Sequence, residues 1–227
     1  MWTYRVRSYI KQRNSLFSRC LYSVVITIRD GQLPRMVWVY RPIYLLYQLI
    51  KQVWARLVNV IFYLPMLQAR LTQFAPRLQL ENGFPLIGGP VEITIGQNTC
   101  LNGALSIHAH PDTPSKLTIG DNCYLGWQTS IIVGLSVTIG NNVKIAGRTS
   151  MHSHAGHSTD SSHRDKTPVL GHLTIEDDVW ICTSCNIVKP VLIGRGSVIA
   201  SGCVVTHDVP PNVLFAGNPG RVIRQLK

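Results

Sequence analysis

The first 80 residues contain almost no acidic side chains. They carry twelve lysines and arginines against a single acid, Asp30, whereas residues 81–227 carry ten charges of each sign. The whole formal excess of +11 therefore belongs to the N-terminal part of the chain. This asymmetry predicts that the N-terminal part meets an anionic surface, and the neutral remainder argues against nucleic-acid binding.

Two targeting features are also absent. The opening MWTYRVRSYIKQR is too charged to supply the apolar core of a secretory signal peptide. No stretch of about 18 uncharged apolar residues occurs, because basic residues interrupt every apolar run, and this argues against a simple spanning helix. With six cysteines and no secretory signal, we expect a reducing, cytoplasmic setting, with the chain at most peripheral at the inner face of the membrane.

Residues 36–70 are the most apolar part of the basic segment. Their apolar side chains recur at helical spacing with Lys51 and Arg56 among them, which predicts a basic amphipathic helix. Two interpretations stay open: the helix lies in the interface of an anionic membrane, or it caps the next domain or a sister subunit. We expect a helical segment over residues 1–84 and a second domain over residues 85–227.

A six-residue repeat runs through the second domain. Its aliphatic anchors are Ile95, Leu101, Ile107, Ile119, Leu125, Ile131, Ile139, Ile145, Met151, Ile175, Ile181, Ile187, Ile193, Ile199 and Val205. A small or β-branched residue follows at the fourth position, as at Thr129, Val143 and Cys185. The pattern predicts a mainly β fold in which three hexapeptides close one coil and the coils stack into a three-sided parallel β-helix.

The repeat is interrupted twice. Residues 108–116 (HAHPDTPSK) break the early coils, and residues 152–171 form a polar, histidine-rich excursion between two regular stretches. Loops that leave a rigid scaffold are frequent sites of function. The second excursion is therefore the predicted catalytic loop.

From about residue 118 to its end the chain resembles the hexapeptide-repeat acetyltransferases. This group includes galactoside, maltose and xenobiotic acetyltransferases, and the surface-polysaccharide O-acetyltransferases are the nearest in pattern. The residues that carry the resemblance are the C-terminal signature of Thr206, Asp208, Pro210-Pro211, Gly217-Asn218-Pro219 and Arg221-Val222-Ile223. The resemblance implies a left-handed β-helix, a homotrimer, and transfer of an acetyl group from acetyl-CoA to a hydroxyl of a sugar or surface-polysaccharide precursor.

The resemblance also assigns the catalytic residues. His157 with Asp160 three positions later and Arg164 seven positions later matches the spacing in maltose-type members, and Trp180 stands where those members have a tryptophan. A histidine suits the chemistry, because a hydroxyl must lose its proton as it attacks a thioester near neutral pH. His157 is the predicted base, and His154 is the second candidate.

For the cofactor, the resemblance implies a groove along the C-terminal coils near Thr183, Ser201 and Thr206. Arg221 and Arg224 are the predicted contacts to the phosphates of CoA, since phosphate recognition favours positive donors. His207 stands where many members have a lysine. No metal is expected, and the Cys182–Cys185 pair is explained mainly by the repeat.

Two alternatives remain at this point. A γ-type carbonic anhydrase-like zinc enzyme has the same fold, and His152 and His157 are five residues apart, as two of its zinc ligands are. A membrane-recruited β-helix scaffold without catalysis would use the coils only as a binding surface. Against the zinc enzyme, no histidine stands at the expected upstream distance, since His108 and His110 are too early. Against the scaffold, the combination of His157, Trp180 and Arg221 has no purpose without catalysis.

Overall fold

The computed structural model describes residues 15–31, 36–109, 113–155 and 169–226. The chain divides into two compact units, Met1–Gln52 and Val53–Lys227. The predicted boundary between residues 84 and 85 stays a prediction, because this division concerns compactness alone.

Helices occupy the N-terminal third of the chain. Helix α1 spans Leu16–Asp30, where the side chains of Ser15 and Ser18 form a reciprocal cap and Gly31 ends the helix in a left-handed conformation. Helix α2 spans Val37–Val58, a one-turn π-helix spans Asn59–Tyr63, and helix α3 spans Leu64–Arg70. Within the described ranges, none of these helices combines the length and apolar character needed to cross a bilayer.

The last helical turns pack against the first coil of the second unit. Leu67 of α3 is buried in the same core as the coils, and Tyr63 packs at a tilt against Phe84, with ring centroids 6.1 Å apart. The Asn59 amide donates to the Leu80 carbonyl at 2.6 Å, and Arg70 donates to the Val91 carbonyl at 2.9 Å. One face of this helical stretch therefore covers the open end of the core.

The second unit is built from three main sheets. Sheet A contains β1 (Gln79–Glu81), β4 (Cys100–Asn102), β7 (Tyr124–Leu125), β10 (Lys144–Ile145), β15 (Trp180–Ile181), β18 (Val198–Ile199), β20 (Val213–Gly217) and β21 (Gly220–Gln225). Sheet B contains β2 (Leu86–Gly88), β5 (Ser106–Ala109), β8 (Ser130–Val133), β11 (Ser150–His152), β16 (Asn186–Ile187) and β19 (Val204–Val205). Sheet C contains β3 (Val91–Ile95), β6 (Ser115–Ile119), β9 (Ser136–Ile139), β14 (His172–Ile175) and β17 (Leu192–Ile193).

Successive strands of one coil go to sheets A, B and C in turn, and every pair between coils is parallel except β20 with β21. All the anchors predicted from the repeat are buried, each at most 1% exposed. The described residues form five complete coils, followed by the partial coil of β18 and β19. The predicted parallel β-helix is therefore confirmed.

The fourth-position residues are buried for the same reason. Thr129, Val143, Cys185 and Cys203 are each 0% exposed, because they lie beneath the corner that follows the preceding strand. A larger side chain there would meet the next coil, whose strand lies about 4.8 Å away. The predicted requirement for small residues at this position agrees with their burial.

Candidate functional site

The three corners of each coil differ in construction. At the corner between sheets C and A, which we call the ladder corner, side chains of successive coils bond to one another: Asn98, Asn122 and Asn142 each donate to the next residue, ending at Asp178, over 3.0 to 3.3 Å. These four residues share a positive φ near 60°, a conformation that Asn and Asp tolerate better than most. The same backbone conformation and the same side-chain bonds therefore recur at this corner from coil to coil.

The corner between sheets B and C, which we call the excursion corner, varies from coil to coil. One coil crosses it with only Gly134 and Leu135, whereas the next coil leaves at Ser153 and returns at Gly171. The break predicted at 108–116 lies at this corner too, but it is shorter, since His108 belongs to β5 and Ser115 begins β6. Both interruptions of the repeat therefore fall on one edge of the column.

The long excursion has a fixed base. Strands β12 (His154–Ala155) and β13 (Val169–Leu170) pair antiparallel, and the Gly171 amide donates to the Ser153 carbonyl at 2.8 Å. Buried Ser153 also accepts at Oγ from the Gly134 amide at 2.7 Å. These bonds hold the two ends of the excursion together on the column.

His154 lies at this base, in β12. Its ring centroid is 5.8 Å from that of His152, and its Nδ1 atom is buried without a hydrogen-bond partner among the described residues. A buried ring nitrogen without a partner is costly unless another group meets it. His157, Asp160 and Arg164 lie outside the described residues, so their predicted roles stay predictions.

His152 has contacts that the sequence pattern did not reveal. Its Nε2 atom lies 2.7 Å from Ser150 Oγ, on the outward side of β11. Burial lowers the pKa of His152 below its ordinary value, and the neighbouring His154 lowers it further. This histidine is therefore held toward its neutral, proton-accepting form at the entrance to the excursion.

Trp180 occupies a different side of the column. It is 52% exposed on the outer surface of sheet A, between Lys144 and Val198 of the neighbouring strands, while Ile181 beside it points into the core. In a three-sided column the corner between sheets B and C lies opposite sheet A. Trp180 and His154 of one chain therefore do not line one pocket.

Thr183 and Ser201 lie together at the corner between sheets A and B, which we call the second corner. The Gly202 amide donates to the Thr183 carbonyl at 3.0 Å, and Thr183 Oγ1 donates to the Gly147 carbonyl at 3.0 Å. Both Thr183 and Ser201 are exposed. On the same edge, the Arg148 guanidinium lies 5.5 Å from the centre of the Trp127 ring, a contact that the repeat did not predict.

The remaining predicted cofactor residues lie near the C-terminal end. Thr206 Oγ1 is 3.2 Å from His207 Nδ1, and the His207 ring meets Phe215 edge-on with centroids 5.4 Å apart. Arg221 and Arg224 are exposed on β21, the hairpin partner of the strand that holds Phe215. The structure thus brings Thr206, His207 and Arg221 toward one end of the column, with Thr183 and Ser201 one corner away.

The cysteines behave as the repeat predicts. All six are free, and Cys185 and Cys203 are buried. Burial raises the pKa of Cys185 to about 11 and also raises that of Cys182. In the part of the chain that the structure describes, no group of three or more His, Cys, Asp or Glu side chains is arranged to hold a metal ion.

Two family models match the coils. Residues 172–207 match the family described as "Bacterial transferase hexapeptide (six repeats)", and residues 116–147 match the "Hexapeptide repeat of succinyl-transferase". These segments lie on either side of the long excursion. Residues 116–147 and 172–207 of the coils are therefore similar to transferase hexapeptide repeats.

Curated relatives support the same assignment. The chain is 42% identical over 116 residues to the provisionally named acetyltransferase YJL218W of Saccharomyces cerevisiae, a match that covers 51% of this chain and 59% of that protein. It is 40% identical over 113 residues to galactoside O-acetyltransferase of Escherichia coli (49% and 55% covered) and 32% identical over 119 residues to serine acetyltransferase of Bacillus subtilis (52% and 48% covered). The matches span about half the length of these relatives, and they confirm the resemblance to hexapeptide-repeat acetyltransferases.

Among solved structures, the fold is similar to that of AntD, an N-acyltransferase from Bacillus cereus crystallised with dTDP and 3-hydroxybutyryl-CoA. The TM-score is 0.60 at 14% identity, with 72% of this chain and 87% of that chain covered. At this identity the likeness concerns the fold alone.

Proposed function

From coils that are similar to transferase hexapeptide repeats, we propose that this protein is an acetyl-CoA-dependent O-acetyltransferase acting on a hydroxyl of a sugar or surface-polysaccharide precursor. The observation that carries the proposal is the 40% identity to galactoside O-acetyltransferase over 113 residues. The histidine-bearing excursion adds support, since it is the longest departure from an otherwise regular column and carries groups suited to proton transfer.

The proposed chemistry is a direct transfer. The acceptor oxygen attacks the thioester carbonyl carbon of acetyl-CoA while a neutral imidazole takes the hydroxyl proton. The tetrahedral intermediate then collapses, the carbon–sulfur bond breaks, and the thiolate of CoA receives the proton from the imidazolium. The products are the acetyl ester and CoA thiol, so no acyl-enzyme is needed.

His157 is the proposed base, with Asp160 and Arg164 lining the site, and His154 is the second candidate. The case for His157 is its spacing to Asp160 and Arg164. The case for His154 is its position at the base of the excursion, with a buried Nδ1 that lacks a hydrogen-bond partner among the described residues. The His152 ring lies beside it, with centroids 5.8 Å apart, so His154 would act next to a second imidazole.

The donor is proposed to lie along the last coils. Thr183 and Ser201 offer exposed hydroxyls and backbone groups to the pantetheine arm, and Arg221 and Arg224 offer positive charge to the phosphates. His207 sits where a permanently charged lysine would strengthen that contact.

A homotrimer is the proposed assembly. Its support is the separation of Trp180, on the outer surface of sheet A, from the opposite corner that bears His154. A site that uses the tryptophan and a histidine of the excursion needs those groups from two chains, and a closed ring supplies such a site at each interface.

The proposed acceptor is tied to the basic N-terminal part of the chain. A saccharide that is built on a lipid carrier would be presented at the inner face of a membrane, where anionic headgroups attract basic segments. This supports a peripheral enzyme of surface-polysaccharide synthesis.

Release of free CoA tests the function. Purified full-length protein is mixed with acetyl-CoA and a panel of galactosides, glucosides, oligosaccharides and amino-alcohol acceptors, and the acetylated product is identified by mass. We expect saccharide-dependent CoA release, with His157→Ala slowing turnover by about 10²- to 10⁴-fold while CoA still binds. His108→Ala, an exposed histidine of β5, is the matched control and should keep full activity.

If His157→Ala retains near-normal turnover while His154→Ala does not, the base is His154. Absence of saccharide-dependent release across the panel, together with zinc in the purified protein and hydration of carbon dioxide, would instead support the carbonic anhydrase-like alternative.

Mixing two inactive variants tests the shared site. His157→Ala and Trp180→Ala are denatured together and refolded at equal amounts. In a trimer with sites at the interfaces, about one quarter of sites (one half times one half) receive both intact groups, and activity should return to about that level. No recovery in refolded mixtures that sediment as trimers would contradict the shared site.

A further inference from the structure

The helical stretch that covers the first coil keeps a second apolar face. Its inner face supplies Leu67 to the core, whereas six large apolar side chains between residues 53 and 66 point away from the coils. These are Val53, Trp54, Val60, Ile61, Phe62 and Met66, each between 51% and 68% exposed. Phe74, just after α3, is 73% exposed. Exposed apolar surface of this extent marks a binding surface.

The charged side chains on this surface are all basic. Residues 31–80 contain no aspartate or glutamate and six basic residues, of which Arg56, Arg70 and Arg77 lie in the compact unit of the coils. An apolar surface with aromatic residues and cations, and without acids, complements an anionic lipid headgroup layer over hydrocarbon.

A cleft opens within the same surface. It is a shallow, open depression of about 370 Å³, and it is lined mainly by apolar residues such as Val60, Leu64, Pro65, Phe74 and Leu78. Gln68, also in its wall, is already engaged, since its amide donates to the Ala75 carbonyl at 2.7 Å and accepts from the Ala75 amide at 3.0 Å. Of the described residues that line the cleft, only Arg77 is charged.

We infer that residues 53–78, here called the cap surface, bind an anionic phospholipid bilayer directly, with an acyl chain in the cleft and a lipid phosphate at Arg77. An apolar cleft with one cation fits a molecule that has a hydrocarbon chain and one anionic group. The coil unit would then contact the membrane through the helical stretch that covers its first coil, independently of any contact made by residues 1–52 and independently of the proposed transferase activity.

A second copy of the chain fits the cap surface less well than a lipid bilayer does. A two-fold contact through the cap surface would place Arg56 and Arg77 of both copies within one interface. Because no acid lies on the surface to balance them, like charges would face each other across a poorly hydrated interface. A lipid headgroup layer removes this conflict and covers the same apolar area.

Vesicle co-sedimentation of the full-length protein tests the inference. Phosphatidylcholine vesicles are compared with vesicles that contain roughly one-third phosphatidylglycerol. We expect binding to the anionic vesicles, weakened about fivefold by Arg77→Gln and about tenfold or more by the double change Met66→Ser with Phe74→Ser. Leu86→Ser, which removes an equally exposed apolar side chain from β2, should bind as the wild type does.

Three results would overturn the inference: equal binding to both vesicle types, unchanged binding of the cap-surface variants, or no binding at all. Self-association in lipid-free solution that the same variants abolish would assign the surface to a second copy. Circular dichroism of each variant, and CoA release with an acceptor that is not membrane-bound, should match the wild type. Loss of CoA release in every protein would contradict the proposed function and leave the vesicle result intact.

Discussion

The ladder corner and the excursion corner belong to the same coils, but the first repeats from coil to coil and the second varies. At the ladder corner, Asn98, Asn122 and Asn142 repeat one conformation and bond to each other up the column. At the excursion corner, the crossing varies from two residues at Gly134–Leu135 to a long excursion that departs at Ser153. One corner of the column therefore repeats from coil to coil while another varies.

The second corner stands between these extremes. It repeats small buried residues, including Cys185 and Cys203, beneath an exposed edge that carries Thr183 and Ser201. The comparison therefore predicts three kinds of side chain. Those buried beneath corners are chemically unreactive, those in the ladder stabilise the fold, and those at the excursion change protonation near neutral pH. Three measurements sharpen or break this division.

The largest expected effect concerns the thiol of Cys185. Because burial raises its pKa to about 11 and hides the sulfur, alkylation by iodoacetamide at pH 8 should be at least ~100-fold slower than at exposed Cys20. Peptide mass analysis after timed quenching measures both rates. Comparable labelling of the two cysteines in folded protein would place Cys185 among reactive thiols and weaken the structural interpretation of the second corner.

A change in the ladder should reduce stability without changing catalysis. Asn142→Ala loses side-chain bonds to Asn122 and Asp178 and strains a residue with φ of 57°, so we expect a loss of about 1–2 kcal/mol in unfolding free energy. Asn142→Gly is the matched control, since it loses the bonds but adopts this φ freely. Urea unfolding measures the difference, and an alanine variant as stable as the glycine variant would show that conformation contributes nothing here.

The smallest effect is a pH dependence at His152. Its pKa is lowered in the folded chain, so the unfolded chain takes up the proton first as the pH falls below the ordinary value of 6.5. Stability should therefore fall on acidification through that value and be unaffected by this group at higher pH. Thermal midpoints measured between pH 5 and 8 should vary less in His152→Gln than in the wild type. Parallel curves for the two proteins would refute the lowered pKa.

The β-helix could be predicted from the sequence because the aliphatic character of each anchor residue indicates that its own side chain is buried. A six-residue spacing of aliphatic residues has few other physical explanations, and Ile181, Ile187 and Ile199 are buried as the spacing requires. The helical character of residues 37–70 followed from periodicity in the same way. In both cases the pattern is local along the chain.

The features that the sequence did not predict are contacts between side chains that the six-residue repeat does not constrain. Periodicity indicated an apolar face on residues 53–70 but not the surface against which that face packs. The bonds from Asn59 to Leu80 and from Arg70 to Val91 join residues 21 positions apart, so the local pattern could not predict them. The contact between Ser150 and His152 was missed because both side chains stand outside the core, where the repeat imposes no residue type. Trp180 was assigned to the site by resemblance alone, and its separation from His154 emerges from the order of the sheets.

The bond from the Gly171 amide to the Ser153 carbonyl has a consequence for how such proteins diversify. Because departure and return are fastened at one point, β14 resumes its register on β9, with Thr174 opposite Thr138, whatever lies between. Exchanging the stretch between Ser153 and Gly171 for that of a relative should therefore leave the pairing of β14 with β9 unchanged, while any acceptor contacts made by that stretch would change with it.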